Sequence, residues 1–150
     1  MARPEEESEV KIRRARHSDA ARLAVLSGEL GYPATTRELQ QRLRHVLPAR
    51  DNIVLIAEKN GEVIGWMHLG VCHLLETAPY AEIHGLIVAE GHRSAGAGAK
   101  LINAGETWAR KKRCANMHLR SNVMRERAHA FYQRQGFEHY KTSKVFRKPL

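Results

Sequence analysis

Between a strand-like run, Ala81 to Val88, and a helix-like run, Ala99 to Lys112, the sequence reads Arg93-Ser94-Ala95-Gly96-Ala97-Gly98. A strand that enters a helix through two glycines makes a corner where the backbone can approach a ligand closely. The open N–H groups of the helix's first turn, with its positive dipole end, favour anionic oxygens. The loop therefore reads as a pyrophosphate cradle. Two familiar phosphate loops do not fit it. A Walker loop needs Gly-Lys-Ser/Thr at its end, and Gly96 is followed by Ala97-Gly98. A dinucleotide fingerprint needs a third glycine three residues after the second, and that position is Leu101.

Length suits one domain: 150 residues bury about two thirds of the surface the unfolded chain exposes. Met1 to Glu9 is rich in acidic residues and lacks the apolar core of a signal peptide, so it reads as a disordered tail before a single domain over 10–150. The two cysteines, Cys72 and Cys114, suggest no disulfide framework. No apolar run approaches the roughly 18 residues of a membrane span. The expectation is an intracellular, cytoplasmic protein with no membrane partner. A net charge of +9 raises nucleic acid as a partner, but the basic residues are scattered. Their one dense run, Arg110-Lys111-Lys112-Arg113, ends the helix after the glycine loop, where cations complement the dipole. No nucleic acid is expected.

The rest of the pattern alternates. Val10 to Ala15 reads as a strand, and Ser18 or Asp19 as the cap of a helix carrying Ala21, Leu23, Leu26 and Leu30. Thr35 with Glu38 is a capping-box signature ahead of a helix that Pro48 stops. Ile53 to Ala57 and Val63 to Val71 are apolar runs joined through Asn60-Gly61, a type I′ hairpin signal. In the long helix, Leu101, Ile102, Gly105, Trp108 and Ala109 form one stripe. Met117 to Arg120 reads as a weak strand, Arg127 to Gln135 as a short helix, and Phe137 to Phe146 as a terminal hairpin around Lys141-Thr142-Ser143. Metal chemistry is not expected: offsets of four and five from His68 put Cys72 and His73 on opposite strand faces, and no CxxC or HExxH occurs.

Arg/Gln-x-x-Gly-x-Gly/Ala between strand and helix resembles the acetyl-CoA loop of the GNAT superfamily of N-acetyltransferases. Val88 stands five residues before Arg93, where that family commonly ends its strand. Ala128-His129-Ala130-Phe131-Tyr132-Gln133-Arg134-Gln135-Gly136-Phe137 is similar to the family's Ala-x-x-Phe/Leu-Tyr-x-x-x-Gly-Phe segment. The resemblance covers the C-terminal half. It implies an α/β (α+β) fold with a mixed, mostly antiparallel sheet, splayed between its fourth and fifth strands and flanked by helices. It also implies acetyl-CoA as cosubstrate, with pyrophosphate on Arg93, Ser94, Ala95, Gly96, Ala97, Gly98 and Ala99 and the pantetheine on backbone groups of Leu86, Ile87 and Val88.

The implied reaction moves acetyl from a thioester to an amine acceptor, directly and in a ternary complex. A free alkylamine has a pKa near 10, so a base is useful. Glu82 occupies the position of the catalytic glutamate in histone-acetylating members. It reads as base, as recognition group for a cationic substrate, or as half of a structural ion pair. Strand alternation places Glu82, His84, Leu86 and Val88 on one face, which makes His84 a base, relay or substrate contact. Tyr132 occupies the family's general-acid position; the plain reading beside it is a packed tyrosine with a satisfied hydroxyl. The family's usual Asn, seven residues before the tyrosine, is Arg125 here, which leaves Asn122, Arg125 or Arg127 to meet CoA. Two other classes stand beside the enzyme: a CoA-binding regulatory module without turnover, and a basic nucleic-acid-binding protein. A homodimer through terminal strands is a further expectation.

Overall fold

The computed structural model describes residues 9–93 and 95–150, so the acidic tail, apart from Glu9, and Ser94 of the glycine loop lie outside the described residues. The chain divides into two units, the first ending at Arg120 and the second running Ser121–Leu150.

In the first unit five strands form one sheet in sequence order: β1 (Lys11–Arg14), β2 (Asn52–Lys59), β3 (Glu62–Cys72), β4 (Tyr80–Val88) and β5 (Met117–Leu119). Neighbours are antiparallel except β4 and β5, which are parallel. This is the mixed sheet the resemblance implies. Asn60 and Gly61 take φ of 52° and 75°, the paired positive values that a type I′ turn requires, so the β2–β3 hairpin forms where the sequence places it.

Helix α3 (Ala97–Lys111) crosses one face with Leu101, Ile102, Gly105, Trp108 and Ala109 buried. Gly105 sets how closely it lies: a Cβ there would stand 2.5 Å from Met67 Cε and 3.2 Å from Leu69 Cδ2. On the other face, helices α1 (Ala20–Glu29) and α2 (Thr36–Val46) bury Leu23, Leu26 and Leu43 against Val54, Ile56 and Ile87. Each such side chain taken fully from water contributes about 1.5–3 kcal/mol.

The capping box of α2 is present as read: Thr35 Oγ1 accepts from Glu38 N at 3.1 Å, and Glu38 Oε2 accepts from Thr35 N at 2.7 Å. The start of α1 differs from expectation. Neither Ser18 nor Asp19 caps it with a side chain. A turn of 3-10 helix, His17–Asp19, precedes it, and the buried Asp19 carboxylate turns back to accept from Arg16 N at 2.7 Å and from both Arg13 Nη atoms at 2.9 Å. Arg13 reaches Glu58 as well, at 2.9 Å. The Arg13 guanidinium, with help from Arg16 N–H, holds the Asp19 carboxyl below its ordinary value.

In the second unit, α4 (Glu126–Arg134) follows a turn in which Asn122 Oδ1 accepts from Met124 N at 2.9 Å. Gly136, at φ 92°, ends the helix in the left-handed conformation. The expected terminal hairpin is absent. No strand forms among residues 135–150, and Tyr140, Val145, Phe146 and Leu150 stay exposed. An isolated two-stranded hairpin has too little apolar face to be stable alone. No helix among the described residues is long and apolar enough to cross a membrane.

Candidate active site

β4 pairs with β5 over only three residue pairs, Ala81 with Met117, Glu82 with His118 and Ile83 with Leu119. Beyond Ile83 it has β3 on one side and, among the described residues, no strand on the other. Ala89 N donates to Ile64 O of β3 at 2.7 Å. Backbone direction alternates along an antiparallel strand, so Ile87 also addresses β3, while the N–H and C=O of Leu86 and Val88 face the open side. Of the three residues expected to offer backbone groups, two point that way and Ile87 does not.

The same strand runs into the glycine loop. After a turn of 3-10 helix, Glu90–His92, Ala95 N donates to His92 O at 3.1 Å, and Gly96 takes φ 78° as the residue that opens α3. The first helical bond is Lys100 N to Gly96 O at 3.1 Å, so the N–H groups of Ala97, Gly98 and Ala99 precede the ladder and have no partner within the helix. The helix thus begins two residues earlier than the sequence suggests. The Arg93 side chain is exposed and folds back, its Nε donating to Val88 O at 3.4 Å. An open strand edge leading into a left-handed glycine and three helix-start donors fits a cofactor with a linear amide arm and a pyrophosphate.

Upstream on β4, the β3 register steps from His68 opposite Gly85 to Leu69 opposite Ile83, leaving His84 as the extra residue of a bulge. The bulge changes the phase of alternation. Glu82, His84, Gly85 and Ile87 share the face toward α1 and α2, whereas Leu86 and Val88, opposite Met67 and Gly65, turn to the α3 face. The expected Glu82–His84–Leu86–Val88 face is therefore corrected after His84.

Glu82 is mostly covered, its side chain 15% exposed. Its Oε1 accepts from Arg120 Nε at 3.1 Å, its Oε2 accepts from Cys72 Sγ at 3.6 Å, and His84 Nδ1 stands 3.8 Å from Oε2. Burial, then the Glu82 charge, pushes the Cys72 thiol up. The His84 ring lies 4.8 Å from that of His68, whose Nε2 is 2.8 Å from Asn52 Oδ1. Burial, with His84 adding to it, pushes His68 down to about 4, so His68 is neutral at pH 7. Both histidines and Gly85 line a cavity of about 560 Å³ with residues of α1 and α2. The sequence reading missed Asn52, His68 as a cavity residue, and Arg120; their convergence comes from the register and the bulge, which no local motif announces. No group of three metal-ligating side chains gathers among the described residues.

In the second unit, Tyr132 on α4 packs against Phe131 and Phe137, with ring centroids 5.4 and 5.9 Å away. Burial pushes its phenol above the ordinary value, against the opposing pull of Arg125. Arg125 is the residue before α4, and its N–H donates to Asn122 O at 3.0 Å. With Asn122 Oδ1 engaged by Met124 N and its carbonyl also within 2.9 Å of His129 Nε2, Asn122 serves the turn that launches the helix.

Residues 19–137 match the acetyltransferase (GNAT) family. The sequence is 28% identical over 134 residues to the uncharacterized N-acetyltransferase YhfO of Bacillus subtilis (strain 168), covering 86% of this chain and 90% of that one. It is 28% identical over 152 residues to aminoglycoside N(6')-acetyltransferase type 1 of Klebsiella aerogenes, covering 93% and 96%. Among solved structures, aminoglycoside N-acetyltransferase AAC(6')-Iy in complex with CoA superposes with a TM-score of 0.87 at 20% identity, covering 98% of this chain and 99% of that one. The chain belongs to the acetyltransferase (GNAT) family and is an acetyl-CoA-dependent N-acetyltransferase.

Proposed function

We propose that the chain transfers acetyl from acetyl-CoA to a primary amine, directly and in a ternary complex. The observation that carries this reading is the edge of β4: the N–H and C=O of Leu86 and the N–H of Val88 are left open beside a ladder that stops at Ile83, the Val88 C=O being met only by the exposed Arg93 side chain, and the strand leads within eight residues to the Gly96 turn and the α3 donors. Leu86 and Val88 hold the pantetheine amides, and the N–H groups of Ala97, Gly98 and Ala99, with Arg93, hold the pyrophosphate. Bound there, acetyl-CoA supplies an activated thioester. The Leu86 N–H is the donor placed for the developing oxyanion.

The amine must arrive neutral. His84 lines the cavity and Glu82 stands behind it, fixed by Arg120, so His84 takes the proton while Glu82 orients the ring and stabilises the imidazolium. Tyr132 gives its proton to the departing thiolate. A phenol above 10 donating to a thiol near 8.5 is uphill by at least about 2 kcal/mol, so the transfer is concerted with C–S cleavage. The match spanning 19–137 crosses Arg120 and Ser121, which supports treating 10–150 as one domain. Free thiols and a need for acetyl-CoA support a cytoplasmic location, and β1, one edge of the sheet, is a strand through which a second copy could pair.

Thiol release from acetyl-CoA, followed against a panel of amines with wild type, His84→Ala, Glu82→Gln and Tyr132→Phe, tests the assignment. Release with one amine class that falls in all three variants supports it. Full activity in His84→Ala and Glu82→Gln together would remove the base from this pair.

A further inference from the structure

The cavity between α1, α2 and the β3–β4 ladder, at about 560 Å³, is the size of a pocket for one small organic molecule. Its wall is apolar over most of its extent, including Leu23, Leu30, Leu39, Val46, Val54 and Trp66. The polar groups that reach it are Ser27, Tyr32, Arg42, His68 and His84. No carboxylate lines it among the described residues. The acid behind His84 is already committed, since Glu82 receives Arg120 and Cys72. Arg42 projects from α2 without a hydrogen bond among the described residues; its charge is felt by Glu38 one turn before it, but that carboxylate is engaged in the Thr35 capping box and does not line the cavity, while His68 is neutral. The one fixed charge in the wall is therefore positive.

This chemistry selects among amines. A polycation brought into such a cavity loses hydration at every ammonium and meets no compensating carboxylate, a cost that grows with each charge. An apolar body is favoured by the leucine and tryptophan wall in proportion to the area it buries. A carboxylate or phosphonate on that body has a planar, permanently charged donor waiting at Arg42.

We infer, resting on the acetyl-transfer reading above, that the acceptor is a single amine on an apolar body of about one ring that also carries one anionic group. The body lies on the Leu–Trp wall, the anion on Arg42 and the amine toward His84. The reaction balances without another reactant. The ammonium loses a proton to the base, its nitrogen forms the bond to the acetyl carbon, and the C–S bond breaks. The nitrogen loses a second proton as the sulfur gains one, giving an N-acetyl product, CoA thiol and one proton released to water.

The test uses the full chain, acetyl-CoA and three probes: L-phenylalanine, phenethylamine (the same body without the anion) and kanamycin (a polycation). Phenylalanine is expected to show the highest kcat/KM and kanamycin to stay at background. Arg42→Gln, an exposed change on α2 whose folding is checked by thermal melt, should lower the preference for phenylalanine over phenethylamine roughly ten-fold, as the loss of a charge-assisted hydrogen bond does. Arg42→Glu should lower it further. Release from kanamycin but not from phenylalanine overturns the acceptor class and leaves acetyl transfer standing. A preference unmoved by Arg42→Gln overturns the role of Arg42. No thiol release with any amine, by a protein that binds acetyl-CoA in calorimetry, overturns both readings.

Discussion

Gly96 and Gly28 give a matched pair in which one substitution, Gly→Ala, should act with opposite signs. At Gly96 φ is 78°, and a Cβ would meet nothing within 4 Å, so the whole cost of alanine is backbone conformation. Holding an L-residue in the left-handed region costs about 1–2 kcal/mol. At Gly28, inside α1, a Cβ also meets nothing within 4 Å and φ is helical, so alanine gains about 0.5–1 kcal/mol by restricting the unfolded chain. For a chain of this length 1 kcal/mol corresponds to about 2–4 °C. Gly96→Ala should therefore melt about 3–6 °C below wild type and Gly28→Ala about 1–3 °C above it. Because Gly96 aims the first turn of α3, Gly96→Ala should also raise KM for acetyl-CoA, whereas Gly28→Ala should leave it alone. Differential scanning fluorimetry and initial rates against acetyl-CoA concentration read both quantities. Equal melting temperatures for the two variants, or a destabilised Gly96→Ala with unchanged KM, would refute the argument.

Asp19 has a folded pKa below its ordinary value of 3.8, so its contribution is fully present above that pH and is lost as pH falls through the lower folded value. Urea midpoints of wild type and Asp19→Asn should therefore differ by about 1–3 kcal/mol at neutral pH and converge only below about pH 3.8; a gap independent of pH contradicts the ion-pair account. Gly70→Ala places a Cβ 2.7 Å from His84 Nε2 and 3.1 Å from Asn52 Oδ1, so kcat should fall about ten-fold or more as the imidazole is displaced, and wild-type kcat would dissociate His84 from the reaction. Gly85→Ala meets the Trp66 ring at 2.8 Å and should cost about 1–3 kcal/mol in a melt, with a raised KM for the amine. Tyr132→Phe should lower kcat roughly 10²-fold, and in wild type the alkaline limb of the rate profile should lie above pH 10, because burial raises the phenol; a limb well below 10 belongs to another group.

Local chemistry was legible wherever a few adjacent residues decide the outcome. Asn60-Gly61 specifies its hairpin, Thr35 with Glu38 specifies its box, and the stripe through Leu101 and Trp108 specifies which side of α3 is buried. The glycine loop and the Tyr132 segment carried the family. What the sequence did not disclose depends on partners far along the chain. Asp19 looks like a helix cap until Arg13 is seen across the turn. His84 looks like one more alternating residue until the β3 register shows that two β4 residues oppose His68. The terminal apolar residues suggest a hairpin, but no ladder forms to bury them.

The bulge also explains why two of the glycines sit where they do. Across the β3–β4 ladder each ring lies over a glycine of the other strand: the Trp66 indole covers Gly85, and the His84 imidazole covers Gly70. A side chain at either glycine would occupy the space of a ring. Without the extra residue, His84 would keep its face but Gly85 and Ile87 would turn to the α3 side, and Leu86 would stand opposite Trp66 where the indole now lies over a glycine. Alternation sets His84 beside Glu82, and the inserted residue adds Gly85 to the same α1–α2 face, returns Ile87 to the core and turns the Leu86 side chain away. The packing of Ile87 and the glycine under Trp66 at the cavity wall both follow from this irregularity in β4, so a substitution that straightens the strand should damage packing and reshape the cavity together.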